Sequence, residues 1–125
     1  MLLGMSEEFY ADPNTVAWLK GMILSNPNPQ DPEAWVRQLH ACGRHEVRDR
    51  LGELSMPVHV VGAAHDAMVP PWKSTELAEL IPGAKLTMLD RAAHLVSIED
   101  AESFNGAVLG FLAEHRAADA KAARA

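Results

Sequence analysis

Cysteine is almost missing from this chain: Cys42 stands alone among 125 residues. One thiol excludes an internal disulfide framework and agrees with a reducing compartment. Basic charge is also scarce. Eleven lysines and arginines face seventeen acidic residues, for a formal charge of −6. With no basic patch, the footprint expected of a nucleic-acid or anionic-membrane partner is not there. Long apolar runs are lacking too. Met1-Leu-Leu-Gly-Met5 has no basic residue before it and stops at Ser6-Glu7-Glu8, which is too short for a signal peptide or a membrane span. There is no internal repeat. The expectation is one domain in the cytoplasm, not on a membrane, with the 48% apolar content of a globular chain.

Two halves with different grammar follow. In the first, Asp12-Pro13 and Asp31-Pro32 are helix starts, an N-cap followed by proline at the first helical position. Val16, Leu19, Met22 and Ile23 place a helix over 13–24. Trp35, Val36 and Leu39 line a second one, stopped near Gly43, and a third piece is expected over 46–51. Between the first two, Ser25-Asn-Pro-Asn-Pro-Gln30 cannot be helical.

At Gly52 the pattern changes. Val58-His-Val-Val61 reads as a strand buried on both faces, ended by Gly62. Pro71-Trp72 opens a helix closed by Pro82-Gly83, and Lys85–Leu89 is a second strand. A strand–helix–strand unit of this length predicts a parallel pair with a right-handed crossover. Ser97-Ile-Glu-Asp100 matches a capping box ahead of a stripe formed by Phe104, Ala107, Val108, Phe111 and Leu112. That helix is expected to reach about His115 before an alanine-rich tail that frays.

In this layout Asp66 and His94 each fall just past the carboxyl end of a strand, where open α/β sheets build their sites. An aspartate there can hold a histidine in one tautomer while the histidine serves as general base. The simpler reading of Asp66 is a turn or cap residue, and of His94 a loop histidine. His65 is expected in solvent and His59 as a packed strand residue. His40 and His45 lack a metal-ligand pattern, so no metal is expected. The three tryptophans, at helical spacing, read first as core.

The order Leu54-Ser-Met-Pro-Val-His-Val-Val-Gly62, Asp66-Ala-Met-Val-Pro70, Leu77-Ala-Glu-Leu-Ile-Pro-Gly83, His94 and Phe104-Asn105 resembles the C-terminal third of an α/β-hydrolase-fold enzyme. The likeness is closest to the small esterase, enol-lactonase and cofactor-free haloperoxidase group. It implies that Asp66 is the triad acid and His94 the base, in that family's chain order. It implies a helical cap remnant over 1–51, hydrolase core over 52–115 and the tail over 116–125. Val69, Trp72 and Leu95 become candidates to touch substrate. Two departures stand out. Ala93 replaces the usual glycine before the histidine, which asks for a backbone open to a Cβ. And no Gly-x-Ser-x-Gly elbow occurs: neither Ser6 nor Cys42 has that context.

The expected fold class is therefore α/β, a C-terminal fragment of an α/β-hydrolase fold with a helical cap remnant, two parallel strands and flanking helices. It would come from a truncated gene or a misplaced start. The expected chemistry is serine-type hydrolysis of a small carbonyl compound (ester, lactone or related), without cofactor and with the nucleophile half elsewhere. One alternative is a non-catalytic fragment that pairs with a complementary half or with a second copy through an open sheet edge. The other is a carbon–carbon bond hydrolase using the same residues.

Overall fold

The computed structural model describes residues 4–122. Both aspartate–proline starts behave as the sequence predicts. Asp12 Oδ1 accepts the Asn14 N–H at 2.9 Å, and Asp31 Oδ1 accepts the Ala34 N–H at 2.7 Å. Each bond satisfies a donor that a helix start leaves orphaned, and proline there gives up nothing. They open α2 (Pro13–Leu24) and α3 (Pro32–Arg44). A short α1 (Glu7–Ala11), capped by Ser6 Oγ, precedes them; five residues are too few to leave a periodic signature. The piece expected over 46–51 is a 3₁₀ helix at Arg48–Glu53, the form such short connectors often take. The tryptophans are not core. Trp18, Trp35 and Trp72 are all exposed, and α3 buries no residue.

The second half centres on β1 (His59–Ala63) and β2 (Lys85–Leu89), paired in parallel with His59 opposite Lys85 and Ala63 opposite Leu89. The crossover is α4 (Pro71–Leu80). Gly62 does not end β1; the strand continues through Ala63. Its glycine answers a different need. A Cβ at Gly62 would lie 2.7 Å from Ser74 Oγ and 2.8 Å from Ser74 Cβ, on α4. The helix lies so close to the strand that only a hydrogen fits. Gly83, by contrast, is a turn glycine at φ 70°, where a side chain would be strained.

The other face of the sheet receives α6 (Ala101–Ala122). His59 packs its ring on Phe111, 4.9 Å between centroids, and its Nε2 meets Thr87 Oγ1 at 2.9 Å. Lys85 Nζ reaches Glu114 at 3.0 Å from β2 to the same helix. Helix α6 runs past His115, where fraying was expected; alanine, the best helix former, carries it on. The capping box at Ser97–Asp100 does not form. Val96–Glu99 is a one-turn helix, α5. Asp100 Oδ1 caps α6 by accepting the Ser103 N–H at 3.2 Å, while the Glu99 side chain is engaged elsewhere. No helix among the described residues is long and apolar enough to cross a membrane.

Two measurements test this packing. Gly62→Ala should cost about 1–3 kcal/mol in chemical denaturation, the usual price of overpacking; an unchanged midpoint would show that α4 is free to move. Burial first, and then Lys85, hold the His59 pKa below its ordinary value, with Glu114 opposing. The unfolded chain protonates near pH 6.5, so it binds more protons than the fold as pH falls through that value, and stability drops. His59→Gln should flatten the stability profile between about pH 7 and 5.5.

Candidate active site

The backbone ladder does not stop at the strand ends. Ala64 N–H donates to Leu89 O at 2.9 Å and His65 N–H to Ala92 O at 3.1 Å. These bonds draw the loop after β1 alongside the loop after β2. Asp66 follows on the first loop and His94 on the second.

Asp66 is fixed by its own turn. One carboxylate oxygen, Oδ1, accepts the N–H groups of Met68 and Val69, each at 2.8 Å. An aspartate bonding its backbone two and three residues on is a common local turn. The second oxygen, Oδ2, is left free of the turn and lies 3.0 Å from His94 Nδ1. So the turn reading and the pair reading of Asp66 are both realised, one on each oxygen.

His94 sits in a well-anchored loop. Ala92 and Ala93 before it are fully buried. Ala93 N–H donates to Glu99 Oε2 at 2.9 Å, and Leu95 N–H donates to Gly4 O at 2.9 Å. No residue other than glycine has a positive φ among those described, so alanine before the histidine is unstrained.

The pair is partly enclosed: the Asp66 side chain is 13% exposed and that of His94 34%. Burial raises the Asp66 pKa, but the bonds from Val69, His94 and Met68 together outweigh it, and the carboxyl is held below its ordinary value. An ionised Oδ2 makes His94 Nδ1 the donor. His94 Nε2 then carries the lone pair, and it makes no hydrogen bond among the described residues. That arrangement can accept a proton at Nε2 and stabilise the resulting cation through Asp66.

The other sequence candidates are distributed unevenly. Val69, whose N–H bonds Asp66, is exposed, and so is Trp72, with its ring 4.1 Å from Lys73 Nζ. Leu95 is half-buried. His65 is exposed, as expected, and so is Cys42. No group of three metal-capable side chains occurs among the described residues. Sequence reasoning missed Glu99 and Ser6, whose partners are ninety-three positions apart and leave no local signal. It also missed Met68, exposed next to Val69. Two clefts of 290 and 280 Å³ are present, one between α1 and the Glu99 turn, the other between the 3₁₀ helix and α4. Neither is lined by Asp66 or His94, which stand on an open rim.

Asp66→Ala removes three hydrogen bonds and should lower stability by about 1–3 kcal/mol at neutral pH. The native carboxyl titrates below the unfolded value of about 3.9, so its contribution is present above that pH and lost as pH falls through the native pKa. The gap between parent and variant in denaturant melts should therefore close in strong acid; a gap that persists would mean the bonds do not need the charge.

No protein-family model matches the chain. A RutD protein of Rhizobium rhizogenes, named a candidate carbamate hydrolase, is 38% identical over 77 residues, which is 62% of this chain and 29% of that protein. The crystal structure of an enol-lactonase from Burkholderia xenovorans superimposes with a TM-score of 0.74 at 25% identity, covering 89% of this chain and 41% of the other. A thermophilic esterase from Thermogutta terrifontis gives 0.73 at 27% identity, over 90% and 40%. The chain thus spans between about three tenths and two fifths of the length of these proteins. Two parallel strands flanked by helices on both faces, continuous with these neighbours over nearly all its length, give this chain the fold of the C-terminal part of an α/β hydrolase.

Proposed function

We propose that Asp66 and His94 are the acid and base of a serine-type hydrolase acting on a carboxylic ester, lactone or related carbonyl compound. The 3.0 Å contact between Asp66 Oδ2 and His94 Nδ1 carries the reading. A serine hydroxyl placed against His94 Nε2 would lose its proton to the imidazole as its oxygen attacks the carbonyl. The imidazolium, stabilised by Asp66, would then return that proton to the leaving oxygen. Water would release the acyl group by the same two transfers in reverse roles. Val69, Trp72 and Leu95 are the residues we assign to the substrate's side of the rim, with residues 1–51 as cap. The neighbours named for lactone, ester and carbamate substrates support the carbonyl class without choosing among them.

The sequence contains no Gly-x-Ser-x-Gly elbow, so this chain by itself should show no esterase activity above background. Grafting residues 4–122 in place of the matching C-terminal part of the enol-lactonase would supply one. The graft should hydrolyse esters or lactones, and His94→Ala in it should lower kcat by about 10²–10⁴-fold. Activity within about tenfold of the unsubstituted graft would remove His94 from the base role. Diketone cleavage by the graft, with no ester cleavage, would favour the carbon–carbon hydrolase instead.

A surface observation supports association as well. The chain exposes 9447 Å², whereas a self-contained protein of 13.6 kDa exposes about 6,600 Å². Leu86, Leu109, Leu112 and Met56 are among the exposed apolar side chains, and β1 has one unpaired edge among the described residues. We assign this surface to pairing with a further polypeptide segment, a second copy included. Sedimentation should show species heavier than the monomer as concentration rises; a strict monomer would remove the second copy from consideration.

A further inference from the structure

Glu99 is a carboxylate with no cationic partner among the described residues. Arg91, the nearest basic residue in sequence, pairs with Glu8 at 3.2 Å instead. Glu99 spends both oxygens on donors from two distant segments. Oε2 accepts the Ala93 N–H at 2.9 Å, immediately before His94. Oε1 accepts the Ser6 N–H at 2.8 Å and the Ser6 hydroxyl. Ser6 is buried, and its neighbour Gly4 receives the Leu95 N–H at 2.9 Å, immediately after His94. The backbone on both sides of His94 is therefore held, the Ala92–Ala93 peptide by Glu99 directly and the His94–Leu95 peptide by the segment that Glu99 holds.

We infer that Glu99, with Ser6, is a positioning residue that fixes the backbone on both sides of His94 and so keeps its Nδ1 on the Asp66 carboxylate. This rests on the acid–base reading above. The physical case is one of geometry. Asp66 is already held by its own turn, and the His65–Ala92 bond fixes the start of the second loop, so the length and angle of the Asp66–His94 bond depend on how the rest of the histidine loop is held. That loop has only a one-turn helix after it, too short to hold position by its own hydrogen bonds. A charged acceptor makes stronger hydrogen bonds than a neutral one, and Glu99 accepts three, two from N–H groups and one from the Ser6 hydroxyl.

The test uses the full chain with ¹⁵N-labelled histidine, the His94 ring signals being identified by their loss in His94→Gln. The parent should show His94 as one tautomer, protonated on Nδ1, with slow exchange of that proton. Glu99→Ala should populate both tautomers and speed the exchange by roughly tenfold or more, in proportion to a lost hydrogen bond. Glu99→Gln, which keeps one acceptor for Ala93 and can donate to the Ser6 hydroxyl, should restore much of the parent signal. Ser6→Ala removes one donor only and should fall between the two. A Glu99→Ala chain that melts earlier but keeps the parent His94 signature would overturn the assignment, leaving Glu99 a merely stabilising residue. If that chain does not fold, an unchanged parent signature in Ser6→Ala does the same. A parent lacking the Nδ1 proton signal overturns the Asp66–His94 reading itself and this assignment with it.

Discussion

The register of two parallel strands governs the rest of the molecule. With His59 opposite Lys85, every later pair is set, up to Ala63 opposite Leu89, and the ladder then runs on through Ala64 and His65 into the loops. A slip of one residue would turn each side chain of one strand to the opposite face. His59 would leave Phe111 and Thr87 for the helix on the far side. Gly62 would no longer stand where Ser74 needs room. The Asp66 and His94 loops would part by about one strand residue, roughly 3.3 Å, more than the hydrogen bond between them can absorb. Sheet packing and site geometry are therefore a single condition.

Two carboxylates serve the histidine loop, and neither meets a lysine or arginine. Asp66 divides its oxygens between its own turn and the imidazole. Glu99 divides its oxygens between the loop before His94 and the buried Ser6. Leaving Asp66 without a permanent cation matters for the chemistry we propose. A nearby guanidinium would already neutralise the aspartate and compete with a protonated imidazole. Among the described residues, protonated His94 is the one cation Asp66 would meet, and it exists only after a proton has been taken up.

The core that supports this is thin. Small residues dominate it: Ala63, Ala92 and Ala93 join Val60, Ile81 and Leu89 beneath the site, with Met5 and Leu19 buried in the N-terminal part. Trp35, Val36 and Leu39 on α3 and Leu109 and Leu112 on α6 face outward. Rigidity at the site thus comes less from apolar burial than from a dense set of backbone hydrogen bonds, which are short-range and directional.

The sequence determined the local elements, because their signals are local. Aspartate before proline opened α2 and α3, apolar runs between breakers marked both strands, and the chain length between them required a parallel crossover. The order of Asp66 and His94 after those strands was legible for the same reason. Other features needed the fold. Gly62 reads in sequence as a stop and in space as room for α4. Ser97–Asp100 has the letters of a capping box, but Ser97 falls inside the one-turn α5 and Asp100 caps α6 through the Ser103 N–H instead. The tryptophans have core spacing, yet spacing says which side chains share a face and not what covers it. Proximity between residues 6, 66, 94 and 99 depends on how the chain returns on itself, and only the tertiary structure decides that.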